Sequence, residues 1–158
     1  MAIRPKPVWN FRVSGTAETS TRSRVRLRDF ELTVDEPTER NGSNRGPMPV
    51  ETVMAGLVGC THVVSNKLAK HYGATITAMD IDILTTMDSS GTRLIKPIDV
   101  PFPKVVINIT AEMDGPQQAI DQVIANLRHH CAVSKMLRQS GSEVVEIWTV
   151  NGVSRAAA

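Results

Sequence analysis

The chain has 158 residues, 41% of them hydrophobic, 22% charged and 4% aromatic, with a net charge of +2. That size and balance fit one globular domain over residues 1–158 with a modest core, and they exclude a disordered chain. Evenly spread basic residues and scarce aromatic platforms argue against a nucleic-acid partner.

In chain order, the basic start Met1–Pro7 has no apolar run behind it, so no secretory leader is expected. Val8 to Ala17 predicts a first strand, with Trp9 and Phe11 in alternation. Ser23 to Val34 predicts a second, in which Val25, Leu27, Phe30, Leu32 and Val34 interleave with Arg24, Arg26, Arg28 and Glu31. The slip at Arg28-Asp29 marks a bulge, or a turn between two short strands. Arg22, Arg24, Arg26 and Arg28 then lie on the solvent face of a half-buried sheet.

Asp35 to Pro49 is a loop rich in turn residues: Asn41-Gly42, Asn44 and Gly46-Pro47. A helix follows Pro49, with Glu51 in its first turn, where a carboxylate favours the positive end of the helix dipole. It is nearly uncharged until Lys67 and Lys70, which predicts burial on most sides. Ala55, Gly56 and Gly59 lie on neighbouring turns and permit close approach of another backbone. The uncharged run Thr52 to Asn66 is too short to span a bilayer, so no membrane partner is expected. Gly73 caps the helix.

Ile76 to Thr86 alternates as a strand, with Met79, Ile81 and Ile83 opposite Asp80 and Asp82. A loop from Asp88 to Pro103 leads to a strand face of Val105, Ile107, Ile109, Ala111 and Met113. Asp114-Gly115-Pro116 turns into a second helix, whose stripe Ile120, Val123, Ile124, Leu127 also carries Cys131. Ser134 to Gln139 continues as a short helix or turn, Glu143 to Val150 is a final strand, and residues 154–158 are a frayed tail. The order predicts an α+β domain with a mostly antiparallel sheet packed on a buried central helix. One small sheet cannot cover so apolar a helix, and a homodimer wrapping both copies is the simplest remedy.

Cys60 and Cys131 are the two cysteines of the chain. If their thiols meet, thiol-dependent peroxide reduction follows; if not, they are small buried hydrophobes. A reactive cysteine must be a thiolate, and burial opposes that form. An arginine from the loop before Glu51, His129, His130 or a helix N-terminus could offset the burial. Gly56-Leu57-Val58-Gly59 matches the bare glycine pattern of a KH loop, but its middle residues are apolar, whereas a phosphate clamp needs exposed ones. Cys60, His62, His129, His130 and Cys131 follow no established zinc spacing, and no metal site is expected.

Three segments together resemble the OsmC/Ohr family of organic hydroperoxide-reducing proteins. They are Gly46-Pro47-Met48-Pro49-Val50-Glu51, the small-residue helix reaching Cys60-Thr61, and Cys131-Ala132-Val133-Ser134-Lys135. Asp35-Glu36-Pro37 and the Asn/Gly-rich loop after it fit the same family. The resemblance implies an OsmC-like fold and an intertwined homodimer with a site at the subunit interface. It implies Cys60 as the peroxidatic thiol, Cys131 as the resolving thiol and Glu51 as the carboxylate orienting an arginine. Arg40 sits best for that arginine by its distance before Glu51, with Arg22 and Arg24 as rivals. The implied substrate is a small organic hydroperoxide. The implied reductant is an external dithiol, with no bound cofactor and a cytoplasmic, reducing location.

Glu51 and Cys60 are nine residues apart, about 13 Å along a helix axis and on opposite faces, so a Glu51 that serves Cys60 comes from the partner subunit. The chain departs from the family pattern at Ala132, where a proline usually follows the second cysteine. It departs again at Asn41-Gly42, which replaces a Gly-Gly pair. The competing reading is a non-enzymatic dimer of the same fold whose apolar pocket holds a small hydrophobic ligand.

Overall fold

Strand β1 (Val13–Ala17) begins five residues later than the alternation of Trp9 and Phe11 predicts, because its partner runs out. Among the described residues it pairs only with β2 (Ser23–Leu27), and Leu27, the last residue of β2, faces Val13. The chain then turns at Arg28-Asp29, with Arg28 at φ 56°, into β3 (Phe30–Val34). Of the two sequence alternatives for this slip, the turn is the one present. The computed structural model describes residues 8 and 10–156; residues 1–7, Trp9 and residues 157–158, with the expectations that fall on them, lie outside the described residues.

The chain divides into two compact units, Met1–Val53 and Met54–Ala158. The first is the antiparallel sheet β1-β2-β3 and the loop after it. Arg24 and Arg26 are exposed and paired on the surface, Arg24 with Glu18 and Arg26 with Glu31 at 2.8 Å. The solvent exposure expected of these arginines is present, but the half-buried sheet is not: Val13, Leu27 and Phe30 are exposed as well, because no second layer among the described residues covers them. The loop is wound around a buried carboxylate. Asp35 accepts hydrogen bonds from the Ser43 hydroxyl (2.6 Å), the Thr21 hydroxyl (2.9 Å) and the amides of Glu36, Ser43 and Arg45. These donors, Ser43 foremost, hold Asp35 well below the usual carboxylate range. The winding is tight enough that a Cβ on Gly42 would fall 1.7 Å from the Glu36 carbonyl oxygen, so only glycine fits there. Asn41 takes the left-handed position before it, at φ 63°.

Helix α1 (Pro49–Tyr72) starts in the first unit and runs on through the second. The second unit adds β4 (Thr75–Thr86), β5 (Lys104–Asp114), α2 (Gln117–His130), α3 (Ala132–Gln139), β6 (Glu143–Val150) and β7 (Val153–Ala156). Its sheet runs β4-β5-β6-β7, antiparallel except for the parallel pair β5·β6. That pair is parallel because α2 and α3 carry the chain back across the sheet between the two strands. The fold is therefore the mixed α+β class with mostly antiparallel pairing.

The core lies where one face of the sheet meets the helices. Val105, Ile107, Ile109, Ala111 and Met113 of β5 are buried against Leu57 and Leu68 of α1, the α2 stripe Ile120, Val123, Ile124, Leu127, and Trp148 of β6. Period-2 and period-3.6 patterns each present one apolar face here, and the two faces meet.

Two expectations are corrected. Helix α1 is not covered on most sides within the chain: only the stripe Met54, Leu57, Thr61, Ser65, Leu68 and Ala69 is buried. Val53 and Val63 are exposed, and nothing lies within 4 Å of where a Cβ would stand on Gly56 or Gly59. The run lacks charge all round, but a single sheet-and-helix layer covers one stripe of it. Residues 154–156 are not frayed but belong to β7, paired with β6 through Ile147↔Ala156 and Val150↔Val153. The missed signal is Asn151-Gly152, both at positive φ, the preferred two-residue hairpin turn. The Asn151 side chain locks this turn to Met113, accepting from its amide and donating to its carbonyl.

Candidate active site

Cys60 lies midway along α1, where the surface side meets the core. Its residue is half-buried and packs against the core cluster. Side chains on a helix lean toward its N-terminus, over the residue four positions earlier. Here that residue is Gly56, which has no side chain and open space around it. The helix surface at Gly56, one turn before Cys60, is therefore open, although the helix is otherwise crowded with Val and Leu.

Cys131 is the joint between α2 and α3. Its amide donates to the Leu127 carbonyl at 2.9 Å, closing one helix. Its own carbonyl accepts from the Lys135 amide at 2.9 Å, opening the next. Extended backbone (φ −72°, ψ 109°) gives the change of direction. Its residue is fully buried.

The two sulfurs face each other as free thiols, close enough to interact directly and with no bond between them. Burial, reinforced by the neighbouring Cys60, pushes the Cys131 thiol up to about 11. The Ser134 amide, in the first turn of α3, pulls the other way, as does the Thr61 hydroxyl beside the sulfur. Thr61 is itself fully buried and its hydroxyl has no hydrogen-bond partner of normal geometry. The pair is thus asymmetric: Cys60 is a half-buried residue, whereas Cys131 is fully buried with its thiol held protonated.

Glu51 and Arg40 belong to the first unit, and each has another partner there. The Glu51 carboxylate accepts the Met48 amide at 2.8 Å, capping the start of α1. Arg40 ends the 3-10 turn Thr38–Arg40 and pairs with Glu36 at 3.8 Å. The rivals Arg22 and Arg24 both pair with Glu18. His129 and His130 are exposed. Among the described residues no cluster of three or more His, Cys, Asp or Glu is arranged to hold a metal ion.

Sequence reasoning missed two polar features. One is the burial of Asp35: the sequence marks Asp35-Glu36-Pro37 as the start of a loop and as a family-like segment, but not as a carboxylate around which that loop winds. The other is Glu146, which occupies an inward position of β6 between Val144 and Trp148 and is buried with them. Its signal was the break in an apolar face.

The model of the OsmC-like protein family matches residues 42–146, and the chain belongs to that family. Among solved structures, an OsmC-like protein from Mycoplasma pneumoniae superposes with a TM-score of 0.75 at 14% identity, over 90% of this chain and 97% of that one. An organic hydroperoxide resistance protein OsmC from Legionella pneumophila, also described as a predicted redox protein, gives 0.63 at 16% identity, over 92% and 98%. An organic hydroperoxide resistance protein from Elizabethkingia anophelis, with thiocyanate bound, gives 0.59 at 16% identity over the same shares. These likenesses establish the fold. No curated protein matches the chain. No helix among the described residues is long and apolar enough to cross a membrane.

Proposed function

We propose that the protein is a two-cysteine peroxidase that reduces small organic hydroperoxides as a homodimer, with an external dithiol as reductant and no bound cofactor. The observation that carries this reading is the facing pair of free thiols, on a half-buried Cys60 and a fully buried Cys131. The Cys60 thiolate attacks one oxygen of the O–O bond. An S–O bond forms, the O–O bond breaks, and the alkoxide leaves and takes a proton to become the alcohol. Cys131, as its thiolate, then attacks the Cys60 sulfur. The S–S bond forms, and hydroxide leaves with the Cys131 proton as water. Two thiol–disulfide exchanges with the dithiol restore both cysteines.

An arginine beside Cys60 would stabilise the thiolate and the charge growing on the leaving oxygen. Arg40, oriented by Glu51, is the proposed source, with Arg22 and Arg24 as rivals. Glu51 stands nine residues ahead of Cys60 on α1, so the residue that serves Cys60 is the partner subunit's Glu51. The uncovered face of α1, with Gly56, Gly59 and Val63, supports a second copy packing there. A cytoplasmic location suits thiols that must be reduced between turnovers.

One observation favours a second reading, a non-enzymatic binding protein of the same fold: the Cys131 thiol is held at about 11 and rests protonated. Kinetics separate the two. One equivalent of cumene hydroperoxide should consume both thiols of the chain rapidly, and dithiothreitol should restore them. Thiols that persist in excess hydroperoxide would leave the binding protein.

A further inference from the structure

We infer that Glu146 is a positioning residue for Cys131, acting through the short helix α3. The inference rests on the two-thiol reading above. Glu146 projects from β6 toward the helices, and its side chain is only 1% exposed. One oxygen, Oε1, receives Arg138 Nη2 at 3.0 Å and the Ser134 hydroxyl at 3.5 Å. Ser134 and Arg138 are one turn apart on the same face of α3, and Cys131, three residues before Ser134, continues that stripe. A single buried carboxylate therefore holds the face that carries the second thiol.

Three observations make this grip matter. Helix α3 has eight residues, of which Ser134 and Leu137 are buried, so it has little stability of its own. The other carboxylate oxygen, Oε2, is buried with no hydrogen-bond partner, so the charge depends on the Arg138 ion pair. Finally, Ala132 occupies the first position of α3, where proline would have stiffened the turn. Extended backbone at Cys131 is what a residue before proline needs, and the first helical amide has no intrahelical acceptor to lose. The chain holds this turn from below, through Glu146, instead of through its own backbone.

Dithiodipyridine tests this without peroxide. Cys60 attacks the reagent and forms a mixed disulfide, releasing one thiopyridone. Cys131 then attacks the Cys60 sulfur, forming the intramolecular disulfide and releasing the second. Glu146→Gln should leave the first phase within about twofold of the parent protein and slow the second at least about tenfold, as a thiol displaced by an ångström would. Adding Ala132→Pro should restore most of the lost rate, which a general loosening of the fold would not allow. If the glutamine variant fails to fold, Glu146→Met carries the same comparison, because it removes the buried charge and keeps the volume. Equal second phases, or both phases slowed alike without proline rescue, would overturn the role of Glu146. A parent protein that releases only one thiopyridone would instead overturn the two-thiol reading itself.

Discussion

The Cys60 and Cys131 sulfurs meet although their residues are 71 positions apart, one on an open helix face and one in the core. The proposed roles, Cys60 attacking the peroxide and Cys131 resolving, follow this asymmetry. Cys60→Ser should abolish hydroperoxide consumption. Cys131→Ser should permit a single turnover and leave a sulfenic acid on Cys60, trappable by dimedone and located by mass spectrometry. Sulfenic acid on Cys131 in the Cys60→Ser protein would reverse the assignment.

Closure of the disulfide should depend steeply on pH. Cys131 attacks as a thiolate, and its thiol sits at about 11 in the resting protein. Below that value each pH unit raises the thiolate fraction about tenfold. The lifetime of the Cys60 sulfenic acid, followed by stopped flow, should shorten accordingly from pH 6 to 8. A lifetime independent of pH would mean that another group takes the Cys131 proton in concert.

Organic hydroperoxides should oxidise Cys60 faster than hydrogen peroxide. Met54, Leu57, Ile120, Val123, Ile124 and Leu127 close the core and leave no channel there, whereas Val53 is exposed and Val58 half-buried on α1. The apolar surface offered to a substrate tail is that of the half-buried Val58 and Val64, on the helix that carries the thiol. Covering two methylenes of a substrate tail there is worth about 1.6 kcal/mol, or somewhat over tenfold in rate. Comparing second-order rates for cumene hydroperoxide and hydrogen peroxide decides it, and equal rates would show that the surface does not select.

A dimer should be the only species at micromolar concentration, because α1 leaves an uncharged face uncovered within the chain. Gly59→Leu adds bulk where the single chain has open space and where a second helix would pack closely. It should shift sedimentation toward monomer while leaving the circular dichroism of the fold intact. A parent protein that sediments as a well-folded monomer would refute the assembly.

Asp35 should make the fold acid-sensitive. Its folded-state pKa is depressed by the Ser43, Arg45, Thr21 and Glu36 donors. A depressed carboxylate contributes stability that is fully present above its unfolded value of about 3.9 and is lost as pH falls through the folded value. Asp35→Asn should therefore lower the thermal midpoint by several degrees at pH 7. The gap from the parent should narrow between about pH 4 and 2. A gap that stays constant across that range would show that the charge is not what holds the loop.

The sequence by itself determined the elements whose signal is periodic. The alternation from Ile76 to Thr86 and from Val105 to Met113, and the stripe from Ile120 to Leu127, are local patterns. Each leaves one apolar face that must be buried, and β4, β5 and α2 follow them nearly residue for residue. The motifs around Glu51, Cys60 and Cys131 likewise pointed to the family that the chain proves to belong to.

Tertiary structure alone decided what depends on partners distant in sequence. Where β1 begins depends on where β2 ends, since Leu27 is the last residue able to face Val13. Which side of α1 is covered depends on how many layers pack against it, which an all-round absence of charge cannot tell. Glu146 reads in sequence as one polar break in a strand. Only the return of α3 over β6 puts Arg138 and Ser134 against it and ties that carboxylate to the turn carrying Cys131. Local pattern dictates which face is apolar; long-range packing dictates what that face meets, and the chemistry of the two thiols lies in the meeting.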